Sequence, residues 1–240
     1  MKVGPLKTTA FVFARGGSKG LPNKNLIQMS GKPLIAWAIE KALEVQRIDR
    51  VIVSTDSVDI ANVAKSYGAE VPFIRPSELA TDESPEWKSW QHALSFVRES
   101  SGKYPDCFVS IPPTSPLRET VDIDNCLDEY LQGKCDAVVS VTESRRNPYF
   151  NLVTKDVSGR ISLVSKFSEK VARRQDAPVT FDLTTVCYVA NPEFVMKFDS
   201  LFQGNVHGVL VPSERSIDID TMLDFEICQL LLDRKLKQND

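Results

Sequence analysis

The chain has 240 residues, 42% of them hydrophobic and 25% charged, which is enough to bury one sizeable core. Its formal net charge of −3 gives no global basic field, which argues against nucleic acid and anionic membranes as partners. The longest apolar runs have the length of strands, well below the roughly 20 residues that span a bilayer. The stretch 1–7 is too short for a signal peptide. We therefore expect a cytoplasmic protein without a membrane segment.

The five cysteines are odd in number, widely spaced and mostly embedded in apolar sequence, which indicates buried, reduced thiols. The sequence contains no CxxC pair and no Cys/His spacing typical of zinc. The two histidines, His92 and His207, stand in no metal-like cluster. A zinc centre and a Cys–His nucleophile are therefore not expected.

A continuous apolar run at 8–14 is typical of a central parallel strand that is covered on both faces. The chain then enters a basic, glycine-rich loop. We expect its glycines to adopt positive φ, so that successive N–H groups point at one anion, while cationic side chains add positive charge. The loop residues that carry this prediction of a polyphosphate site are Arg15, Gly16, Gly17, Lys19, Gly20 and Lys24.

A surface turn with solvated cations is the alternative for this loop. Its position favours phosphate binding, because open α/β sheets bind ligands at the carboxyl ends of their strands. Two common phosphate loops do not match. A P-loop requires GxxxxGK[ST], whereas Gly20 is followed by Leu21 and Pro22, and Pro22 prevents the helix that the glycines of a Rossmann site open directly.

The elements after the loop alternate between helix and strand. Apolar residues recur at three and four positions in 34–43, which predicts a helix. The next predicted elements are a strand at 50–54, a helix at 58–67, a β-like segment at 70–74, a helix at 86–99, a strand at 106–111, a helix at 121–131 and a strand at 137–141. This alternation predicts an α/β fold with a doubly wound, mostly parallel sheet. Trp87 and Trp90 are expected in its core.

From residue 145 the alternation stops, which indicates an inserted subregion with a hairpin turn at 156–159 and a basic stretch after it. The remaining predicted elements are strands at 184–190 and 206–211, a short helix near 192–197 and a last helix at 222–236. We expect one main domain over 1–240.

Polar residues follow several of the predicted strands, where a ligand would bind. Asp56 is a candidate site residue, or alternatively the cap of the helix that follows. Arg75 ends the segment 70–74 at the same expected edge. The turn 112–118 combines prolines with two hydroxyls and an arginine, which suits a rigid substrate contact.

Asp218 and Asp220 are two residues apart, so in extended backbone both carboxylates point to one side and Ile219 to the other. Two carboxylates on one side can bind a hard divalent cation, and Mg²⁺ prefers a few carboxylates together with phosphate oxygens. The alternative makes Asp218 a turn residue and Asp220 the N-cap of the last helix. Together with the phosphate loop, the pair indicates a nucleotidyl transfer, in which positioning and charge neutralisation carry most of the rate.

Five motifs stand in order at 14–20 with 24–25, at 54–56, at 113–118, at 174–175 with Pro178, and at 218–221 with 224–225. Together they resemble the acylneuraminate cytidylyltransferase family, which includes CMP-sialic acid synthetases and relatives acting on KDO, legionaminic and pseudaminic acids. The resemblance implies a three-layer fold like that of nucleotide-diphospho-sugar transferases, dimerised through an inserted arm at 147–178. It also implies transfer of CMP from CTP to a 2-keto-3-deoxy sugar acid, with Mg²⁺ and with release of pyrophosphate.

Carried over by position, the resemblance implies four sets of residues. The triphosphate would be held by Arg15, Ser18, Lys19, Lys24 and Asn25, with Gly16 and Gly17 beside it, and the nucleoside would meet Arg75, Ser84 and Thr114. The catalytic set would be Arg15, Lys19, Asp218 and Asp220, the last two holding a metal that favours loss of the anomeric hydroxyl proton. The sugar acid would meet Arg174, in this chain or from a partner subunit, near Pro112, Thr184 and Thr185.

Sialic acid enzymes of the family usually carry glutamine where Pro112 stands and Asn-Gly where Thr184 and Thr185 stand. The resemblance therefore leaves open which sugar acid is the substrate. The strings 145–153 and 174–178 look more like the legionaminic branch, some members of which use GTP, whereas 113–115 favours CTP. Two rival functions are a sugar-1-phosphate nucleotidyltransferase and a catalytically inactive nucleotide-binding protein. The motif at 218–221 with Arg174 argues against the first, and the complete set of phosphate and metal residues argues against the second.

Overall fold

A computed structural model describes residues 6–18, 20–166 and 173–239. The strands are β1 (Thr8–Phe13), β2 (Gln28–Met29), β3 (Lys32–Pro33), β4 (Arg50–Ser54), β5 (Cys107–Ser110), β6 (Ala137–Glu143), β7 (Val153–Lys155), β8 (Ile161–Leu163), β9 (Phe181–Ala190) and β10 (Val206–Leu210). The helices are α1 (Leu34–Glu44), α2 (Val58–Ser66), α3 (Glu86–Ser101), α4 (Thr120–Leu131), α5 (Pro192–Lys197) and α6 (Met222–Asn239).

Six strands form one sheet in the order β10-β6-β9-β5-β1-β4. β1 is parallel to both β4 and β5, and β10 is parallel to β6. β9 is antiparallel to its neighbours β5 and β6. The predicted α/β fold with a mostly parallel sheet is therefore confirmed, and β9 is its antiparallel member.

Both faces of β1 are buried, because successive side chains of a strand point to opposite faces. Ala10 and Val12 pack in a core cluster with residues of α1, α2 and α4. Phe11 and Phe13 pack on the other face with α3 and α5, in a cluster that includes Trp87 and Trp90. The tryptophans lie in the core as expected, and the sheet is the middle of three layers.

The last helix covers a third apolar cluster at one end of the molecule. Phe225, Cys228 and Leu232 recur at three and four positions along α6, so they share one helix face. That face packs against a cluster that also contains Leu117 and Ile219. Packing of α6 thus holds the turn 112–118 and the segment 217–221 beside each other, and both contribute to the site described below.

Two details differ from the sequence-based expectations. The β-like segment 70–74 is wrong as a strand, since only Glu70 pairs, in an isolated bridge with Ile52. Pro72 has no N–H to donate to a ladder, which explains why pairing does not continue. The hairpin is confirmed, because β7 and β8 pair antiparallel and Gly159 in their turn has a φ of 87°.

All five cysteines are free, and four of them are buried. In the part of the chain that the structure describes, no helix has both the length and the apolar character needed to cross a bilayer.

Candidate active site

A cavity of about 320 Å³ opens where β1, β4 and β5 reach their carboxyl ends. Parallel strands end at the same edge of a sheet, so the loops that follow them converge there. The residues that line it are Phe13, Arg15, Ser18, Lys24, Asn25, Arg75, Leu79, Thr81, Asp82, Ser84, Glu86, Ser89, Pro112, Pro113, Thr114 and Thr185. Most of the residues predicted to contact the nucleotide are therefore brought together in one place.

The glycines of the loop after β1 do not act as expected. Neither Gly16 nor Gly17 adopts positive φ, so that expectation was wrong for these two glycines. Two of the loop glycines instead allow close approach of other groups. A Cβ on Gly20 would lie 2.6 Å from the backbone oxygen of Asp220, and one on Gly16 would lie 3.2 Å from Cβ of Ser57. Lys19 lies outside the described residues.

Two hydrogen bonds hold the glycine loop in place. The backbone N–H of Gly16 donates to Oδ1 of Asp56 over 2.9 Å. Nδ2 of Asn25, which is buried, donates to the backbone oxygen of Arg15 over 3.0 Å. Asp56 does not cap α2, since Ser57 occupies the N-cap and accepts from the N–H of Ile60. Asp56 and Asn25 therefore position the loop.

A carboxylate that the sequence did not single out lies beside the loop. Oδ1 of Asp82 lies 2.7 Å from Nη1 of Arg15, and both side chains are about one-third exposed. Asp82 and its neighbour Thr81 stand in a polar connection before α3, where sequence alone does not separate cavity residues from solvated ones. The salt bridge holds the Arg15 guanidinium at the cavity.

Arg75 is a buried cation with unused donors. Only 5% of the residue is exposed, and Nη1 donates to Oγ of Ser89 over 3.0 Å. Nε and Nη2 are buried and have no hydrogen-bond partner among the described residues, and Oδ1 of Asp56 lies 4.0 Å from Nη2. Burial lowers the pKa of Arg75. Because buried donors are normally satisfied, two free donors on the cavity wall suit the acceptor atoms of a ligand.

The proline-rich turn is fixed to β9 by a fully buried arginine. Nη2 of Arg118 donates to the backbone oxygens of Pro112 and Thr185, the latter over 3.0 Å. Burial lowers the pKa of Arg118 to about 10. The hydroxyl of Thr185 lies 2.6 Å from that of Ser115 and accepts from that of Thr114 over 3.3 Å. The turn and the start of β9 thus form one wall of the cavity.

The four residues expected near the sugar acid separate into two groups. Pro112 and Thr185 line the cavity. Thr184 is buried, and its hydroxyl donates to the backbone oxygen of Ser140 over 3.1 Å, because adjacent residues of a strand face opposite sides. Arg174 lies in a separate depression, where its Nη2 donates to the backbone oxygen of Ser144 over 2.9 Å. Within one chain, Thr184 and Arg174 are therefore not on the cavity.

The segment 218–220 runs beside the cavity between two of its lining residues. The N–H of Ile219 donates to the backbone oxygen of Thr114 over 2.9 Å, and Nζ of Lys24 donates to the backbone oxygen of Ile219 over 2.6 Å. Oδ1 of Asp218 is buried without a hydrogen-bond partner among the described residues. Oδ1 of Asp220 is exposed and lies 3.3 Å from Nζ of Lys24. An unpartnered buried carboxylate oxygen fits a cation ligand.

The alternative role of Asp220 as a helix cap was wrong. Thr221 precedes α6, and its hydroxyl accepts from the N–H of Asp224 over 3.3 Å. The Asp224 carboxylate in turn accepts from the N–H of Thr221 over 2.8 Å, so the two residues cap the helix reciprocally. In the described part of the chain, no group of three or more His, Cys, Asp or Glu side chains is placed to hold a metal. A bound Mg²⁺ would therefore take its remaining ligands from substrate and water.

A doubly wound sheet with a cavity at its carboxyl edge, lined by the cations Arg15, Lys24 and Arg75, is the arrangement expected of a nucleotide-binding enzyme. Residues 9–195 match the sequence profile of a family described as cytidylyltransferase. The chain belongs to the cytidylyltransferase family.

Relatives of similar length support this assignment. The chain is 31% identical to post-translational flagellin modification protein B of Campylobacter coli, over 93% of this chain and 94% of that protein. It is 32% identical to CMP-N,N'-diacetyllegionaminic acid synthase of Campylobacter jejuni, with the same coverage. The fold is similar to that of a CMP:2-keto-3-deoxy-manno-octonic acid synthetase solved in complex with CTP, with a TM-score of 0.72, 17% identity and coverage of 95% of this chain and 99% of that one.

Proposed function

We propose that the enzyme transfers CMP from CTP to the anomeric hydroxyl of a 2-keto-3-deoxy sugar acid of the nonulosonic type and releases pyrophosphate. One observation carries the proposal. The cations of the glycine loop, the free donors of Arg75 and the proline-rich turn face a single cavity, and the unpartnered carboxylate oxygen of Asp218 lies on the adjoining segment. The name of the legionaminic acid relative supports the choice of acceptor.

The cavity has a phosphate end and a base end. Arg15, Ser18 and Lys24 lie at the glycine loop, where they and the loop N–H groups would hold the triphosphate, with Lys19 as a further cation proposed from the sequence. Arg75, Ser84 and Thr114, which also line the cavity, would contact the nucleoside. In this arrangement the α-phosphorus would lie between the loop and the turn 112–118, where the acceptor could reach it.

Mg²⁺ is the proposed cofactor, held by Asp218 and Asp220. When bound, it would neutralise charge on the phosphate oxygens. The residues of the chain align the substrates. The anomeric oxygen forms a bond to the α-phosphorus, the bond from that phosphorus to the bridging oxygen breaks, the electron pair leaves with pyrophosphate, and the hydroxyl proton passes to solvent. Arg15 and Lys24 stabilise the charge that develops on the leaving group.

We further propose a homodimer in which the arm 147–178 carries Arg174 to the partner's cavity. Every residue of the hairpin strands β7 and β8 is exposed. The arm and the adjoining start of β9 expose the large apolar side chains Phe150, Leu152, Val153, Val157, Ile161, Leu163, Val164, Val179, Phe181 and Leu183. Exposed apolar patches of this kind mark protein–protein contacts. A guanidinium supplied in this way suits the carboxylate of the sugar acid.

Residues 1–240 are proposed as one nucleotidyltransferase domain, because the six strands of the main sheet are drawn from the chain between residue 8 and residue 210. The cytoplasm is the proposed compartment, since the five cysteines are free and thiols stay reduced there.

A pyrophosphate-release assay tests the function. Purified protein is given CTP, GTP, UTP or ATP against a panel of nonulosonic acids, KDO and sugar 1-phosphates. Turnover with CTP and a nonulosonic acid is expected. Turnover with a sugar phosphate alone would establish the sugar-1-phosphate nucleotidyltransferase instead, and tight CTP binding without pyrophosphate release from any acceptor would establish an inactive binding protein.

A further inference from the structure

Glu86 is a carboxylate on the cavity wall that has no role in the proposed binding of CTP, metal or sugar acid. It is the first residue of α3 and lines the cavity together with Arg75, Ser84 and Ser89. On a helix, residues three apart lie on the same side, so Glu86 and Ser89 face one direction. Oγ of Ser89 accepts from Nη1 of Arg75 over 3.0 Å. Glu86 therefore lies at the end of the cavity that holds Arg75.

The Glu86 carboxylate is oriented but only partly used. Nε1 of Trp90, one turn further along the helix and buried, donates to Oε1 over 3.1 Å. In the described part of the chain, Oε2 has no hydrogen-bond partner. The residue is accessible to solvent, as expected on the wall of an open cavity, while the surrounding protein partly desolvates the carboxyl group and raises the pKa of Glu86. Trp90 thus holds an acceptor that faces the cavity.

The chemistry of this end matches the edge of one base. Phosphates are attracted to the cations of the glycine loop, so the base occupies the end formed by Arg75 and Glu86. Cytosine presents two acceptors, O2 and N3, beside the N4 amino donor, whereas uracil has an acceptor oxygen in place of the amino group. The free Nε and Nη2 donors of Arg75 suit the acceptors. A carboxylate suits the amino group and repels the uracil oxygen.

We infer that Glu86 is a nucleobase-specificity residue, which accepts a hydrogen bond from the exocyclic amino group of cytosine and discriminates against uracil. This inference rests on the proposed function, because it needs a cytidine nucleotide in the cavity. It assigns the two acceptors of the base to Arg75 and the amino donor to Glu86, and the hydrogen bond from Trp90 keeps the carboxylate in position.

The test compares Glu86→Gln and Glu86→Ala with wild type and with Glu83→Gln. Glu83 is an exposed carboxylate three residues earlier that does not line the cavity. The ratio of kcat/KM for CTP over UTP is measured with saturating sugar acid, and dissociation constants for CTP, UTP and GTP are measured by calorimetry. Since one base contact discriminates by about 1–3 kcal/mol, Glu86→Gln should lower the CTP/UTP ratio roughly tenfold. Glu83→Gln should leave it unchanged.

An unchanged CTP/UTP ratio in both Glu86 variants would overturn the inference. Loss of a merely structural role at the start of α3 would weaken the binding of CTP and of UTP equally. Tighter binding of GTP than of CTP by the wild type would also overturn it. If the wild type releases no pyrophosphate with any acid, the proposed function fails, and the calorimetric CTP/UTP ratio then tests Glu86 by itself.

Discussion

At the scale of single residues, Asp220 and Asp199 form a matched pair of surface carboxylates. Each side chain is 76% exposed and each lies near one lysine, at 3.3 and 2.8 Å respectively. Because exposed ion pairs contribute only about 0–1 kcal/mol, Asp220→Asn and Asp199→Asn should both leave the free energy of unfolding nearly unchanged.

Turnover should separate the two variants. We expect Asp220→Asn to lower kcat by roughly 100-fold or more, as loss of an electrostatic group at the reacting phosphate does, while Asp199→Asn keeps wild-type activity. Pyrophosphate release is measured over a range of Mg²⁺ concentrations. Near wild-type turnover of Asp220→Asn at saturating Mg²⁺ would refute the assignment of Asp220 to the metal.

The adjacent threonines illustrate what sequence predicts at this scale. The period of two in a strand predicts that Thr184 and Thr185 face opposite sides. It does not say which one faces the ligand, because neither threonine is more polar than the other. Two contacts fix the orientation. The Thr184 hydroxyl donates to the backbone oxygen of Ser140 in the core, and the Thr185 hydroxyl lies 2.6 Å from the Ser115 hydroxyl at the cavity.

At the scale of elements, the glycine loop depends on close packing at Gly20. A Cβ at Gly20 would meet the Asp220 backbone oxygen at 2.6 Å, whereas one at Gly17 would meet nothing within 4 Å. We expect Gly20→Ala to lower the free energy of unfolding by about 1–3 kcal/mol, because backbone must shift to relieve the overlap. Gly17→Ala should be close to neutral.

Chemical denaturation of both variants measures the difference, and equal stabilities would contradict this account of the loop. Activity then gives separate information on Gly17. A loss of CTP binding in Gly17→Ala without a loss of stability would place the nucleotide against that backbone.

The start of α6 should respond to pH through Asp224. The hydrogen bond from Thr221 lowers the pKa of Asp224, so the folded chain favours the charged carboxylate. A pKa that is lowered in the folded chain stabilises the fold at pH values above the ordinary pKa of aspartate, which is near 4. This stabilisation is lost as the pH falls through the pKa of the folded state. We expect Asp224→Asn to cost about 0.5–2 kcal/mol near neutral pH, as loss of a helix cap does, and less in acid.

Urea unfolding at several pH values measures this cost, and NMR titration of the Asp224 carboxyl in wild type and in Thr221→Ala reports the pKa directly. A cost that stays constant from neutral to acid pH, or an Asp224 pKa that is unaffected by Thr221→Ala, would contradict the capping role.

Most elements could be predicted because their periodicity is strong, and the failures have physical causes. The apolar run 184–190 predicts a buried strand, but a strand covered on both faces shows no alternation that would reveal its direction, and β9 proved antiparallel. Asp82 and Glu86 were not predicted as site residues for a different reason. Charged residues in a connection and at a helix start are usually solvated, and only the fold shows that these two line the cavity.

At the scale of the whole molecule, the position of Arg174 predicts that two chains build each site. Arg174 lies off the cavity of its own chain, on the segment with exposed apolar side chains. We expect Arg174→Ala to raise the KM of the sugar acid roughly tenfold or more, as loss of a charged hydrogen bond does, with the KM of CTP unchanged. Its neighbour Arg173, which pairs with Asp176, supplies the control Arg173→Ala.

Subunit mixing tests whether the arginine acts across the interface. Arg174→Ala and Asp220→Asn chains are denatured together and refolded at subsaturating sugar acid. Random pairing makes half of the dimers mixed. If Arg174 acts in the partner's site, each mixed dimer has one intact site, with Asp220 from one chain and Arg174 from the other, and one site that lacks both. About a quarter of wild-type activity should then return. No recovery, or a monomer by sedimentation, would contradict the two-chain site. The sequence left open whether Arg174 acts in its own chain or from a partner subunit, because the distance of Arg174 from the cavity depends on the fold.

The central claim is that the α-phosphorus of CTP moves to a sugar acid, and isotopic labelling tests it most directly. Two parallel reactions contain the enzyme, Mg²⁺, a nonulosonic acid and CTP labelled with ³²P at either the α or the γ position. The α label is expected in a sugar nucleotide and the γ label in pyrophosphate. Transfer of the γ label to the acid, or release of the α label only as free CMP, would contradict it.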